Sequence, residues 1–257
     1  FIGYFEWFYK STGSDVGFGS KQQTTPDQAC RIHTYNAPIL MDLSICDKAI
    51  IPTKWQAEQF PEKLRTSMNI IFDGIDTQLF KPLDEQTQKK GLKIPGLELE
   101  ADIPLVTYTT RGFETYRGWP QVAEGLSLLM QRNPQVHILL VGSDEVAYGS
   151  KRSDGISWRQ WAFQTFFFDP SRIHFSPPLQ YKDYLKVLQH SWVHVYWTIP
   201  FILSWGFMES LSTGCSIVAS NTAPVQEIIK SGKEAILVDF FDPDGMASRI
   251  DELIHNT

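Results

Sequence analysis

The sequence predicts an α/β protein built on a doubly wound parallel sheet. Three observations carry that reading. From Leu105 onward, short β-branched or aromatic runs alternate with longer segments of helical spacing, the order of a parallel sheet with crossover helices. Residues 192–220 hold a complete strand, loop, helix and strand. The 257 residues are 42% hydrophobic and 20% charged, ordinary for a folded domain with a sizeable core.

The central unit is residues 192–220. Residues 193–197 read as a strand, Pro200 opens a loop, and residues 205–213 have Phe207, Met208 and Leu211 at helical spacing. Gly214 stands where a C-terminal cap is wanted, and residues 215–220 form the next strand. The loop therefore lies at the carboxyl edge of the sheet, where open α/β sheets bind ligands. The helix start at Ser204, Trp205 and Gly206 offers amides and a partial positive charge to an anion. Glu209 is one turn deeper on the same side. There a carboxylate can accept hydrogen bonds from ribose hydroxyls; the alternative is an ordinary solvated helix residue.

In chain order, residues 1–10 are aromatic-rich and residues 11–26 read as a Gly/Ser/Thr loop. A helix is expected over 38–45, a strand over 48–51, a helix capped by Thr53, and a strand over 68–72 closed by Asp73-Gly74. The polar stretch 83–103, with Pro95, Gly91 and Gly96, reads as a linker between a partial domain (1–82) and a second domain (104–257). Strands follow over 105–109, 136–141, 173–175, 193–197, 215–220 and 235–239, and helices over 120–132, 157–168, 181–190, 205–213, 225–230 and 242–255. The chain begins inside patterned sequence and stops just after a helical pattern, which reads as an internal fragment of a longer protein.

Composition narrows the function. The net charge is −6 with no long basic run, which argues against nucleic acid. Three widely spaced cysteines (Cys30, Cys46, Cys215) fit reduced thiols in a cytosol better than a disulfide framework. No apolar run approaches the ~20 residues of a membrane span. The pattern G-x-G-x-x-G does not follow the strand at 105–109, which weakens a Rossmann-type oxidoreductase, and no P-loop is present. That strand is followed instead by Thr110-Arg111-Gly112-Phe113-Glu114-Thr115-Tyr116-Arg117-Gly118. Glycines let backbone approach closely, and guanidinium forks bind phosphate oxygens in pairs. Arg111 and Arg117 with the Ser204 helix start suit a diphosphate; the alternative is that both arginines pair with Glu114 at the surface.

From residues 106 to 239 the sequence resembles the group 1, or family 4, retaining glycosyltransferases of the GT-B fold. The resemblance is carried by Arg111-Gly112 with Arg117-Gly118, Leu139-Leu140-Val141-Gly142, the segment from Glu209 to Ser220, Ala223-Pro224-Val225-Gln226-Glu227 and Leu237-Val238-Asp239. Upstream, Ile50-Ile51-Pro52-Thr53 and Asp73-Gly74-Ile75-Asp76 look like the family's interdomain passage. The resemblance implies a UDP- or GDP-sugar donor, with Arg111 and Arg117 on the diphosphate, the Ser204–Gly206 amides completing the phosphate site and Glu209 on the ribose. Gly112, Gly118 and Gly142 would shape the site, and backbone near Phe175 and Ser176 would face the base. It also implies a saccharide or lipid-linked acceptor, no metal or other cofactor, cytoplasmic surface-polysaccharide synthesis, and peripheral membrane contact through residues outside this sequence.

One departure stands out. The family's E-x₇-E pattern ends at Glu209, and its first position is Phe201. A non-catalytic nucleotide-sugar-binding module is therefore the competing reading. Asp242-Pro243-Asp244 is a literal D-x-D, read here as a helix cap rather than a metal site. His194 in an apolar strand reads as packed and hydrogen-bonded. Trp158, Trp161 and residues 163–168 read as core or interface aromatics.

Overall fold

A computed structural model describes residues 1–19 and 24–256. The 11–26 loop expectation therefore lies partly outside the described residues. The chain divides into two compact units, 1–74 with 199–203 and 223–228, and 75–198 with 204–222 and 229–257.

The first unit carries three parallel strands, β1 (Ile2–Tyr4), β2 (Lys48–Ile51) and β3 (Met68–Ile70), in the order β1-β2-β3. Three elements were not expected: β1, a short helix at Glu62–Arg65 and a helix at Pro26–Thr34. The last of these starts at a capping box in which Thr25 and Gln28 satisfy each other's backbone amides. Thr53 caps the Lys54–Ala57 helix through the Gln56 amide, as the sequence suggested. Glu227 carboxylate oxygens accept from the Lys54 and Trp55 amides at 2.8 and 2.6 Å, a negative charge on a helix start. Phe5, Ala49, Ile51, Ala57 and Phe60 form the core of this unit.

The second unit corrects the linker expectation for 83–103. That stretch folds as a short helix, Glu85–Gln88, and an antiparallel hairpin of β4 (Leu92–Ile94) and β5 (Leu97–Leu99). Leu92, Ile94 and Leu99 alternate with exposed Lys93 and Glu98 and pack against Leu105, Leu139, Val141 and Val187. Gly96, at φ +80°, makes the turn that read as a linker signal.

Six further strands form one parallel sheet: β6 (Leu105–Gly112), β7 (His137–Ser143), β8 (Ile173–Ser176), β9 (Val193–Tyr196), β10 (Ser216–Ser220) and β11 (Ile236–Val238). Their order is β11-β10-β9-β6-β7-β8. The strand order reverses between β6 and β9, so the loops after those two strands diverge at the carboxyl edge and leave a crevice. The Trp119–Arg132 helix buries Val122, Ala123, Leu126 and Leu129 completely. Asp242 caps the Pro243–His255 helix through the Gly245 amide at 2.8 Å, and Asp244 pairs with Arg132. Both D-x-D carboxylates thus serve the helix start. Of the aromatics at 158–168, Phe168 is 9% exposed, whereas Phe163 and Phe167 are open to solvent, and Arg152 lies over Trp158 and Trp161.

His194 lies inside the sheet, 2.8 Å from Thr107 Oγ1 through Nδ1, and burial pushes its pKa down to about 4. In the unfolded chain the imidazole titrates near the ordinary 6.5. Between those values the unfolded state binds more protons, so stability is complete above about pH 6.5 and falls as pH drops toward 4. For this group the loss amounts to about 3 kcal/mol at full protonation. Thermal unfolding from pH 7.5 to 4.5 should show a flatter acid decline for His194→Asn than for the unsubstituted protein. Equal declines would remove His194 as a source of acid sensitivity.

Candidate functional site

The crevice holds a cavity of about 320 Å³, entirely within the second unit, lined from the loops after β6, β8 and β9. Arg111, Arg117, Ser204, Gly206 and Glu209 all line it, so residues 98 positions apart in sequence meet at one sheet edge.

β6 runs into a bulge between Thr109 and Gly112, and the chain then crosses close to the loop after β7. Gly112 allows the crossing, because a Cβ there would lie 2.0 Å from the Glu145 carbonyl oxygen. Glu114 does not sit at the surface. It is fully buried, and its carboxylate accepts from the Tyr148 and Gly149 amides, stapling one loop to the other. A 3-10 turn at Thr115–Arg117 ends at Gly118, whose φ of +62° and tight approach to the Trp197 ring exclude a side chain.

That turn presents Arg117, which is 8% exposed. Its Nη1 donates to Thr198 Oγ1 at 3.2 Å and to Tyr196 Oη at 3.4 Å, and its guanidinium lies 5.4 Å from the Tyr148 ring centre. These partners fix its aim. Arg111 is exposed, and its guanidinium makes no hydrogen bond or ion pair among the described residues. One cation is thus preset and the other is free to reach.

The Trp205–Thr213 helix begins at Ser204, whose hydroxyl accepts from the Phe207 amide. The Ser204 amide donates to Tyr196 Oη at 3.1 Å, so the serine contributes its place in the wall rather than its N–H. Gly206 lines the cavity with the second amide of the helix. Trp205 is 58% exposed and does not line the cavity. Glu209 is 5% exposed, and Tyr181 donates to its Oε1. Burial and then the Glu209 charge push the Tyr184 phenol well above its ordinary value.

Phe201 is not part of this cavity. It belongs to the first unit and packs edge-on against Trp7 with ring centres 4.9 Å apart. Phe175 stands outside the cavity as well; Arg159 covers its ring at 3.8 Å, and Pro178 and Leu179, farther along the same loop, form the wall. Gly142 keeps β7 close to the Thr110 carbonyl, 2.7 Å from a built Cβ, and supports the wall from behind.

Sequence reasoning missed the tyrosines. Tyr148, Tyr181, Tyr184 and Tyr196 all line the cavity. Tyr196 ends β9, the position from which a strand offers side chains to a ligand, and Tyr181 and Tyr184 share a face of the Tyr181–Gln189 helix. Among the described residues, no group of three or more His, Cys, Asp or Glu is placed to hold a metal ion.

Residues 1–80 match the family described as glycosyl transferase family 4 group, and residues 104–256 match glycosyl transferases group 1. No curated protein matches the sequence. Among solved structures, HepE of Anabaena in complex with UDP-glucose is 16% identical with a TM-score of 0.68, covering 90% of this chain and 60% of that one. Sucrose-phosphate synthase of Thermosynechococcus elongatus is 20% identical with a TM-score of 0.66, covering 99% and 58%. The C-terminal domain of a group 1 protein (LpcC) of Francisella tularensis is 15% identical with a TM-score of 0.54, covering 71% and 88%. This chain thus spans about 60% of the length of the first two. At such identities the structures speak for the fold, a Rossmann-like α/β arrangement of the GT-B kind. The sequence match spans the six-stranded sheet and every residue of the cavity: the chain belongs to the group 1 glycosyl transferases.

Proposed function

We propose that this chain is the greater part of a retaining, metal-independent glycosyltransferase that uses a nucleoside-diphosphate sugar. UDP-sugar is the first choice of donor because HepE was solved with UDP-glucose. The observation that carries the reading is the meeting of Arg111, Arg117 and the Gly206 helix start with the buried Glu209 in one cavity at the strand-order reversal.

Phosphate charge suits the arginine end, and ribose hydroxyls suit the carboxylate one helical turn away. In the transfer, the bond from the anomeric carbon to the diphosphate oxygen breaks as the acceptor oxygen adds to the same face. The departing phosphate takes the acceptor's proton. Negative charge grows on the diphosphate, and the preset Arg117 guanidinium, joined by Arg111 once the donor is bound, stabilises it more in the transition state than in the ground state. That supplies by fixed cations what a divalent metal supplies elsewhere. The acceptor is a saccharide or a lipid-linked saccharide, and the setting is cytoplasmic assembly of a surface polysaccharide. No helix among the described residues is long and apolar enough to cross a membrane.

Thermal unfolding in EDTA with UDP, GDP, ADP or NAD tests the donor site. A ligand at about 100 times its dissociation constant stabilises by ~2.7 kcal/mol, a rise of roughly 5–10 °C at this size. UDP or GDP should give that rise without added metal, and NAD should give none. A shift with NAD alone, or a nucleotide shift that needs manganese, would overturn the corresponding half of the proposal.

A further inference from the structure

Glu209 is a buried carboxylate whose Oε1 already accepts a hydrogen bond. The Tyr181 hydroxyl donates to Oε1, and the Tyr184 hydroxyl stands beside the carboxylate on the Gly206 side. A buried carboxylate oxygen without a donor is costly, and the Tyr181 hydroxyl satisfies this one in the wall. The two tyrosines are not held alike. Tyr184 is largely enclosed, and its hydroxyl lies 2.8 Å from where a Cβ on Gly206 would be, filling the space that the glycine leaves. Tyr181 is 54% exposed. Apart from Glu209, its side chain's partners among the described residues are ring contacts, to Phe80 at 5.1 Å and to Tyr184 at 6.2 Å. It is the first residue of its helix, and Gln180 before it makes no side-chain capping bond.

We propose that Tyr181 is a specificity-determining placeholder, whose phenol holds the carboxylate position that a ribose hydroxyl takes, and swings out when a ribonucleotide binds. The proposal rests on the donor-site reading above. The exchange is one donor for another: the Tyr181 O–H···Oε1 bond breaks, a ribose O–H···Oε1 bond forms, and the phenol passes to water. The balance explains what Tyr181 does to selectivity. With the tyrosine present, a ribose hydroxyl replaces an equivalent bond and gains little. A nucleotide lacking that hydroxyl leaves Tyr181 where it is and loses little. Without the phenol, Glu209 Oε1 lacks its donor and the ribose hydroxyl gains the full value of a bond to a buried acceptor. Tyr181 thus limits discrimination for ribose and keeps the nucleotide exchangeable.

The experiment is calorimetric titration of the unsubstituted protein and Tyr181→Phe with UDP and with 2′,3′-dideoxy-UDP. Phenylalanine keeps the ring contacts to Phe80 and Tyr184, so the variant should fold, and its melting temperature checks this. The preference for UDP over the dideoxy analogue should rise roughly tenfold in Tyr181→Phe, chiefly through tighter UDP. Equal weakening of both ligands would mean that the phenol merely supports the wall, and the proposal fails. An unchanged preference also overturns it while leaving the donor site standing. If neither protein binds UDP or, titrated in its place, GDP, the donor-site reading itself falls, and the placeholder with it.

Discussion

Replacing Arg117 with alanine in the full-length enzyme should lower kcat by roughly 10²- to 10³-fold, the usual scale for one lost preorganised donor to developing charge. KM for the sugar nucleotide should change far less. The reasoning starts from burial. A guanidinium 8% exposed, tied to Thr198 and Tyr196, loses little freedom when a diphosphate arrives, because its aim is set by the fold. Its attraction grows as the leaving oxygen gains charge, so its contribution falls mostly in the transition state. Arg117→Lys should recover only part of the rate, because an ammonium cannot bond Thr198, Tyr196 and a phosphate oxygen with one fixed fork. Arg111→Ala should cost roughly 10²-fold, with more of the loss in KM, since its exposed side chain must be ordered on binding. Steady-state kinetics of the variants decide the matter. Near-normal kcat in both alanine variants would remove the diphosphate assignment. A raised KM with unchanged kcat in Arg117→Ala would make it a binding residue only.

The arginines could be found in the sequence because the features that place them are local. A strand ending in Thr-Arg-Gly and a second Arg-Gly six residues on need only the direction of β6 to be put at the sheet edge. The β9–helix–β10 unit was equally legible, since Pro200, Ser204 and Gly214 mark its loop, cap and end within the stretch. What escaped depends on distant partners. Glu114 looked like a surface mate for the arginines, yet it binds amides 34 and 35 residues away. Tyr196 looked like one more aromatic of a core strand, and it does stack on Phe207 at 4.2 Å, but its hydroxyl also accepts from the Ser204 amide and Arg117. One side chain does both jobs, and periodicity reports only the first. The β4–β5 hairpin was hidden for another reason: its alternation is short, and Pro95-Gly96 within it is as good a signal for a linker as for a turn. Phe201 is the opposite case. Its departure from the family pattern was plain in the sequence, but only the fold shows it packed on Trp7.

Gly112→Ala should be a severely damaging single methyl group in the second unit. Gly112 makes the bulged crossing from β6 into the arginine loop, and the atom nearest a new Cβ is a backbone oxygen, Glu145 O at 2.0 Å, with Glu145 C at 3.2 Å. A flexible side chain could turn aside; a carbonyl in this place cannot move alone. Phe113 N donates to Ser143 O at 3.0 Å, and Ser143 Oγ donates to Arg111 O at 3.1 Å, so the two loops are laced together on both sides of the glycine. The added methyl must part them. Overpacking of this kind costs about 1–3 kcal/mol, or roughly 5 °C of melting temperature at this chain length. The loss in catalysis should be larger than the loss in stability implies. Parting the loops shifts Arg111 directly and shifts Arg117 through Glu114, whose carboxylate is bonded across the same gap. A displacement of about 1 Å in a group that must meet developing charge costs on the order of 10²-fold. Gly142→Ala presses on the neighbouring Thr110 carbonyl from 2.7 Å and should follow the same pattern more mildly. Melting curves and kcat for the two variants test the lacing. A Gly112→Ala enzyme with unchanged stability and rate would mean that the loops part freely, and that neither Glu114 nor the bulge sets the position of the arginines.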